Sequence, residues 1–444
     1  MTAPPAVPNR WSIALAGTIV MICLGTVYSW SIFTRPLIAS FDWSNTDTSL
    51  VFSVAIFFLG LGAVIGGRWQ DRVDPRTVTI VGVALWGIGV ALAGLGTPAL
   101  GKVWMYLTYG VLGGLGLGMA YITPVAMVTK WFPDKRGFAS GMVVMGFGLG
   151  AFLYNQIVTR IPSFAAAAKA ATAYTVAKAA SAKAGTAFNA AQYHLSAASV
   201  DAVMHVFLIS GIVFLIVGGL AAFMLANPPA GYSVAGAGAA AASSAGSYTP
   251  GETLKTPAFY LLWLILFLNV TAGIFVISNA VPIYSDLTGA SAATAGLIYG
   301  FLAVFNGLGR FFWGSISDRI GRNMAYTLIF GIQVVVFFLM GGLHSLTSVG
   351  IAFAIVLLCY GGGFGVMPSF NADYFGTKFL GQNYGMILTA WGVAGVVGPV
   401  IAGMVKDATG SFGGALIPVA IMVLVAAIIP FFIKKPADAA TIRP

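Results

Sequence analysis

Asn306 and Arg310 stand four residues apart within an apolar run from Leu297 to Trp313, so on a helix both project from one face. A guanidinium keeps its charge, and bringing one to membrane depth costs roughly 2.5 to 3.5 kcal/mol on insertion scales. No acidic residue in the sequence offers itself as its partner. The chemistry such an arginine can do is anion binding: at an effective dielectric of about 20, a carboxylate at about 4 Å gains about 4 kcal/mol, comparable with the insertion cost. Asn306 can orient the guanidinium or bond a ligand hydroxyl. The plainer alternatives are an arginine bonded to backbone carbonyls and an asparagine that glues helices together.

The elements that must position this pair are membrane helices. Of the 444 residues, 59% are hydrophobic and only 8% charged, and the mean hydropathy is +0.92. That is more apolar surface than a soluble domain can cover. A bilayer core about 30 Å thick needs about 20 apolar residues in helix. Twelve runs meet that ruler, six between residues 11 and 226 and six between 257 and 433. The expected organisation is an all-α integral membrane protein: a six-helix bundle over 1–226 with a long outer loop at 161–202, a linker at 227–256 and a second bundle over 257–444. The linker is rich in Ala, Gly and Ser. The outer loop, Ala-rich with scattered Lys, Tyr and Phe, is expected to form short surface helices of decorative rather than functional value.

The two halves repeat one another. Gly67-x-x-x-Asp71-Arg72 and Gly314-x-x-x-Asp318-Arg319 fall between the second and third runs of each half. Matching bundles can rock around a site at their interface, so the repeat makes Asp71, Arg72, Asp318 and Arg319 gating candidates, with each Asp-Arg pair tying adjacent helix ends. Lys and Arg of the short loops collect on one face, including Arg68, Arg76, Lys135, Arg136 and Arg322, which places that face and both termini in the cytoplasm of a multi-pass inner-membrane protein. The net charge of +10 lies in gaps between apolar runs rather than on one aromatic-interleaved face, which argues against nucleic acid. His194, His205 and His344 lack ligand spacing, the Gly-rich stretches lack a following Lys-Ser/Thr, and Cys23 and Cys359 sit inside apolar runs. No metal, cofactor or disulfide framework is expected.

Several specific stretches carry a family resemblance. They are Tyr28-Ser29-Trp30, Lys130-Trp131-Phe132-Pro133-Asp134-Lys135-Arg136-Gly137, Asn306-Gly307-x-x-Arg310-x-x-Trp313-Gly314, Pro368-Ser369-x-Asn371-x-Asp373-x-Phe375-Gly376-Thr377 after helix 10, and Asn383-Tyr384-Gly385. With twelve spans and paired turns, the chain resembles the major facilitator superfamily, and within it the oxalate/formate antiporter family, which includes bacterial lactate carriers similar to monocarboxylate transporters. The resemblance implies two pseudo-symmetric six-helix bundles and a central carboxylate site built on Arg310. It adds Tyr121 and Tyr360, and less strongly Tyr28, as hydroxyl donors, and Phe147, Phe364, Leu388 and Trp391 as apolar lining. For each of these, ordinary packing is the plainer alternative.

One departure narrows the substrate. In the oxalate exchangers a lysine stands eight residues beyond the Asn of Asn-Tyr-Gly, and here that position is Trp391. One fixed cation matches one carboxylate better than two. Phe147 and Phe364 replace tyrosines of the oxalate carriers and make the pocket less polar. The resulting expectation is a monomeric secondary transporter, not an enzyme, that carries a small carboxylate anion with a proton, foremost L-lactate or pyruvate. An oxalate/formate-type exchanger is the alternative. An intramembrane enzyme or receptor is more remote, because no nucleophile-base pair lies at depth and a receptor has no need of matching halves. No carboxylate or histidine lies at the midplane as a proton relay, so symport and exchange both remain open.

Overall fold

The computed structural model describes residues 8–193, 195–229, 231–234, 246–409, 414 and 416–437. His194, Asp438, Arg443 and part of the 227–256 linker lie outside the described residues. Regular structure among the described residues is all helical. In the first half, α1 is Arg10–Ser29, continued beyond Trp30 as Ser31–Phe41. It is followed by α2 (Asn45–Gln70), α3 (Pro75–Ala93), α4 (Gly101–Trp131), α5 (Arg136–Val158) and α6 (Ala197–Phe223). The second half holds α7 (Pro257–Thr288), α8 (Ala292–Leu302 resumed as Val304–Ile320), α9 (Arg322–Met340), α10 (Leu346–Phe375), α11 (Leu380–Thr409) and α12 (Leu416–Ile428).

Local signals explain the helix ends. The Ser44 hydroxyl accepts from Asp47 N, and the Asp47 carboxylate accepts from Ser44 N, closing a capping box on α2. Asp74 before Pro75 and Thr256 before Pro257 pair an N-cap acceptor with a proline that needs no hydrogen bond in the first turn. Gly289 ends α7 in the left-handed region at φ 69°. Inside α7, Asn279 leaves helical geometry, with φ −118° and ψ 16°. Pro282 accounts for this, since its ring clashes with the preceding turn and removes a donor.

The burial pattern is that of a membrane protein. Ile209, Ile212, Ile216 and Leu220 of α6 recur at helical spacing and are exposed, as are Val335 and Leu339 of α9. Such a stripe is stable in lipid hydrocarbon, where only the backbone must be internally satisfied. The halves meet along two lines, α2 against α11 and α5 against α8. The first glycine of each repeated turn permits the approach: a Cβ on Gly67 would lie 2.1 Å from the Gly381 carbonyl oxygen, and one on Gly314 would lie 2.5 Å from that of Gly137.

Two expectations change. The outer loop contains a long helix, Pro162–Ala184, beside a short one, Ala190–Tyr193. Phe164, Ala167, Ala171 and Tyr174 of the long helix are buried, and it packs on Ser31–Phe41. Tyr174 Oη donates to Asp42 Oδ1 at 2.7 Å, and Lys178 Nζ pairs with the same oxygen at 2.5 Å. Alanine, the best helix former, sets the helix length, and the small side chains every three or four residues allow a flat contact with α1. The second change is that Pro368 to Phe375 lies within the last turns of α10, not after it.

Gly67→Val should hold the two halves apart at their basic face. The check is a cysteine at Asn371, which is fully buried in the closed face. The added Gly67→Val change should raise its reactivity toward a water-soluble maleimide by about tenfold or more, because opening the face exposes a group otherwise reached only by rare fluctuation.

Candidate functional site

Between the two contact lines, five helices converge on Arg310. Gly365 of α10 lies against the Arg310 carbonyl, where a Cβ would come within 2.0 Å, and this contact carries α8 into the bundle interior. Arg310 is fully buried, at 0% exposure. Its Nε donates to Asn306 Oδ1 at 3.3 Å, so the one-turn spacing holds the guanidinium in place. The cationic carbon lies 4.7 Å from the ring centre of Phe364 and 5.2 Å from that of Phe147. Each desolvated π face contributes about 2 kcal/mol. Nη1 and Nη2 have no hydrogen-bond partner among the described residues, and no carboxylate there pairs with them.

The surrounding cage is aromatic and is drawn from both halves. Tyr121 of α4 packs edge-on against Phe147 at 5.4 Å and Trp391 at 5.3 Å. Trp391 of α11 also contacts Phe364 at 4.6 Å and Phe147 at 5.4 Å. Tyr28 sits in the 3-10 turn Thr26–Ser29 of α1, where its ring lies 5.3 Å from that of Phe147. Its hydroxyl meets that of Tyr360 at 2.8 Å, a bond between halves. Leu388 is buried one turn before Trp391. All nine residues named from sequence as lining the site are therefore in the bundle interior, and eight have contacts that tie them to Arg310 or its cage. Leu388 is joined to it only through its helix.

Sequence reasoning passed over Tyr384. It is fully buried beside Tyr121, and its hydroxyl, like those of Tyr121 and the Trp391 indole N–H, lacks a partner among the described residues. The signal was its place seven residues before Trp391, two helical turns along the same face. Buried polar groups are nearly always satisfied, so a cluster of unpaired donors around a cation marks a place for acceptors.

At the basic face the repeated turns act as latches. Asp71 accepts from Gly381 N at 3.2 Å and from Gln382 N at 2.8 Å, capping the start of α11. Asp318 accepts from Gly137 N and Phe138 N, both at 2.8 Å, capping the start of α5. Free N–H groups and the positive end of the helix dipole favour a carboxylate at each position. Each aspartate thus ties its own half to the opposite one, instead of binding its neighbouring arginine. The side chains of Arg72 and Arg319 are exposed and make no hydrogen bond or ion pair among the described residues, so in this conformation neither takes part in the ties between the halves. Arg322 serves instead: it pairs with Asp318 at 2.7 Å and with Asp373 at 2.8 Å, and Asp373 pairs with Arg136 at 3.0 Å.

The comparisons agree with this architecture. The Major Facilitator Superfamily profile matches residues 15–159 and 164–374. The chain belongs to the Major Facilitator Superfamily. It is a membrane transporter and not an enzyme. It is 28% identical over 395 residues to the oxalate:formate antiporter of Oxalobacter formigenes, covering 88% of this chain and 83% of that one. It is 25% identical over 458 residues to apicoplast pyruvate carrier 1 of Toxoplasma gondii, with 85% and 81% covered. The proton:xylose symporter XylE, bound to 6-bromo-6-deoxy-D-glucose, has the same fold, with a TM-score of 0.71 at 17% identity over 96% of each chain.

The latch at Asp71 carries a response to acid. Burial raises Asp71 above the ordinary carboxylate value, against the lowering effect of Gln382 N–H, Lys130 and Gly381 N–H. A group held higher in the closed form binds its proton more tightly there than when opening exposes it, so closure takes up protons. Closure at α2 and α11 should therefore be favoured as pH falls, and the effect should be lost as pH rises through the closed-state value. Distances between spin labels on the basic ends of α2 and α11 should shorten with acid in the wild type, and D71N should abolish that pH dependence.

Proposed function

We propose that this transporter carries small monocarboxylates by alternating access, foremost as proton-coupled uptake of L-lactate or pyruvate, with Arg310 as the carboxylate anchor. The observation that carries the proposal is the buried guanidinium with both terminal nitrogens unpaired among the described residues, ringed by further unpaired donors on Tyr121, Tyr384 and Trp391. Only an acceptor-rich anion complements such a set. Arg310 is the one cation in the cage among the described residues, and Trp391 stands where the resembling oxalate exchangers have lysine, which favours one carboxylate over two. The aromatic walls suit an acid with a short apolar end. The names of an oxalate:formate antiporter and a pyruvate carrier among its relatives support a small carboxylate.

The basic face is assigned to the cytoplasm by the positive-inside rule. In the conformation described, that face is latched. A carboxylate reaching the cage from the opposite side replaces water with the guanidinium fork. Release of the latches at Asp71 and Asp318 then lets the halves rock and opens the site inward. Asn306, Tyr121 and the π faces of Phe147 and Phe364 hold the fork while the anion is seated.

Arg310→Ala should reduce labelled lactate or pyruvate uptake to a few per cent of wild type or less at equal membrane abundance. Losing one partner of a buried charge pair costs about 2 to 5 kcal/mol. Arg310→Lys should recover little, because an ammonium does not reproduce the planar fork. Uptake by Arg310→Ala near the wild-type level defeats the assignment.

A second reading, obligatory carboxylate exchange, draws on the same observation: an empty carrier must reorient with Arg310 uncompensated. Proteoliposomes with an inward proton gradient and no internal substrate distinguish the two. Proton coupling predicts lactate accumulation above its external concentration. Exchange predicts none until carboxylate is loaded inside.

A further inference from the structure

Between the Arg310 cage and the basic face, one buried amide stands without a partner. Asn371 of α10 is fully buried, and neither its Nδ2 nor its Oδ1 is hydrogen-bonded among the described residues. It is the one amide among them with both ends unmet. Buried polar groups are nearly always paired, and an unmet donor and acceptor on one side chain are costly in a closed interior. Neither the cage nor the latches make use of this group.

Helix geometry places Asn371 on the way from the cage to the latches. It follows Phe364 by two helical turns, so it projects from the face on which Phe364 covers Arg310 and meets Trp391, about 10 Å nearer the basic face. The next helix, α11, runs back in the opposite direction, and Tyr384 precedes Trp391 by the same two turns. Asn371 and Tyr384 therefore stand at one depth on neighbouring helices. Tyr121 lies beside both Arg310 and Tyr384, so polar groups descend from the guanidinium through two hydroxyls to the level of the amide. The ties between the halves come just past that level: Asp373 pairs with Arg136 at 3.0 Å, and Asp71 accepts from Gly381 N and Gln382 N. Above it, Ser140 Oγ of α5 donates to the Gly365 carbonyl at 3.1 Å. Bonds to the opposite half thus hold α10 on both sides of Asn371, and parting the basic face uncovers the amide to water.

We propose that Asn371 is a second, exit subsite for the carboxylate: once the basic face opens, its amide N–H takes the anion released by Arg310 and passes it to water. This rests on the reading of Arg310 as the carboxylate anchor and extends that site toward the basic face. The guanidinium fork makes two charge-assisted bonds, and an anion leaving it directly for water gives up both together. A neutral amide donates to one carboxylate oxygen and holds it more weakly, while its own oxygen accepts from the water that follows. A pathway conducts when each site binds well enough to be entered and weakly enough to be left, and a weaker site one step along meets both demands.

The test separates binding from passage. Asn371→Leu keeps the size of the side chain and removes the donor. Labelled pyruvate should bind the purified variant with a Kd within about threefold of wild type, because Arg310 and its cage are intact. Maximal pyruvate uptake into proteoliposomes should fall about tenfold, the worth of one hydrogen bond on the exit route. Distances between spin labels on the basic ends of α2 and α11 should match those of wild type. Asn371→Asp should be slower still at neutral pH, where its carboxylate repels the anion. Measured against wild type at each pH, it should recover as acid restores an O–H donor. Uptake at the wild-type rate by Asn371→Leu overturns the inference. A slower rate accompanied by altered label distances also overturns it, since the amide would then belong to the gate, as does an Asn371→Asp defect that acid leaves unchanged. Wild type that binds neither pyruvate nor lactate would instead defeat the Arg310 reading, and this inference with it.

Discussion

A guanidinium held out of water without a counter-ion constrains everything packed around it. Arg310 receives one oxygen from Asn306 and two π faces, and these leave its terminal nitrogens unmet among the described residues. Each unmet buried donor costs about 1 to 3 kcal/mol, so the arrangement is unfavourable until an acceptor arrives. The same dryness that makes it unfavourable makes the site effective, because a low dielectric strengthens the attraction to an anion. Close helix packing at Gly365 and the aromatic cage bury the charge in the bundle interior.

The helices that build the cage also carry the latches. Arg310 and Asp318 share α8, Phe147 shares α5 with the Gly137 and Phe138 N–H groups, and Tyr384 and Trp391 share α11 with those of Gly381 and Gln382. Neither latch can open without moving a wall of the cage relative to the charge. The coupling between site and gate therefore needs no chain of intermediaries: rigid helices with a latch at one end and a ligand contact in the middle are two-state elements that both ends bias. The two latches share the geometry of aspartate on a helix N-terminus but differ in surroundings. Arg322, Asp373 and Arg136 surround Asp318 with fixed charge, whereas Asp71 lies half-buried near Lys130.

Much of this was legible in the sequence because membrane physics leaves few options. Twelve apolar runs can only be helices, a lone intramembrane arginine needs an anion, and Asn306 at one-turn spacing has to meet it. The repeated Gly-x-x-x-Asp motif marked the turns that tie the two halves together at the basic face. What it could not reveal was the partner of each aspartate, since backbone N–H groups of a distant helix start have no residue signature. Tyr384 was hidden in the same way: it belongs to a motif, but its role depends on facing Tyr121 from the other half. The outer helix Pro162–Ala184 was obscured by composition, because alanine-rich sequence shows little amphipathic contrast even when one face is buried.

The two π faces over Arg310 also bear on the direction of transport. Phe364 belongs to the same half as Arg310, on α10, and travels with it. Phe147 belongs to the other half, on α5. When the halves rock, the contact with Phe364 persists while that with Phe147 is strained or lost, so part of the compensation of the bare cation depends on conformation. A seated carboxylate moves with the arginine that holds it and makes the loaded form far less sensitive to the position of Phe147. The empty carrier thus faces a reorientation cost that the loaded carrier avoids. With Arg310 as the proposed carboxylate anchor, that difference ties movement of the helices to occupancy of the site.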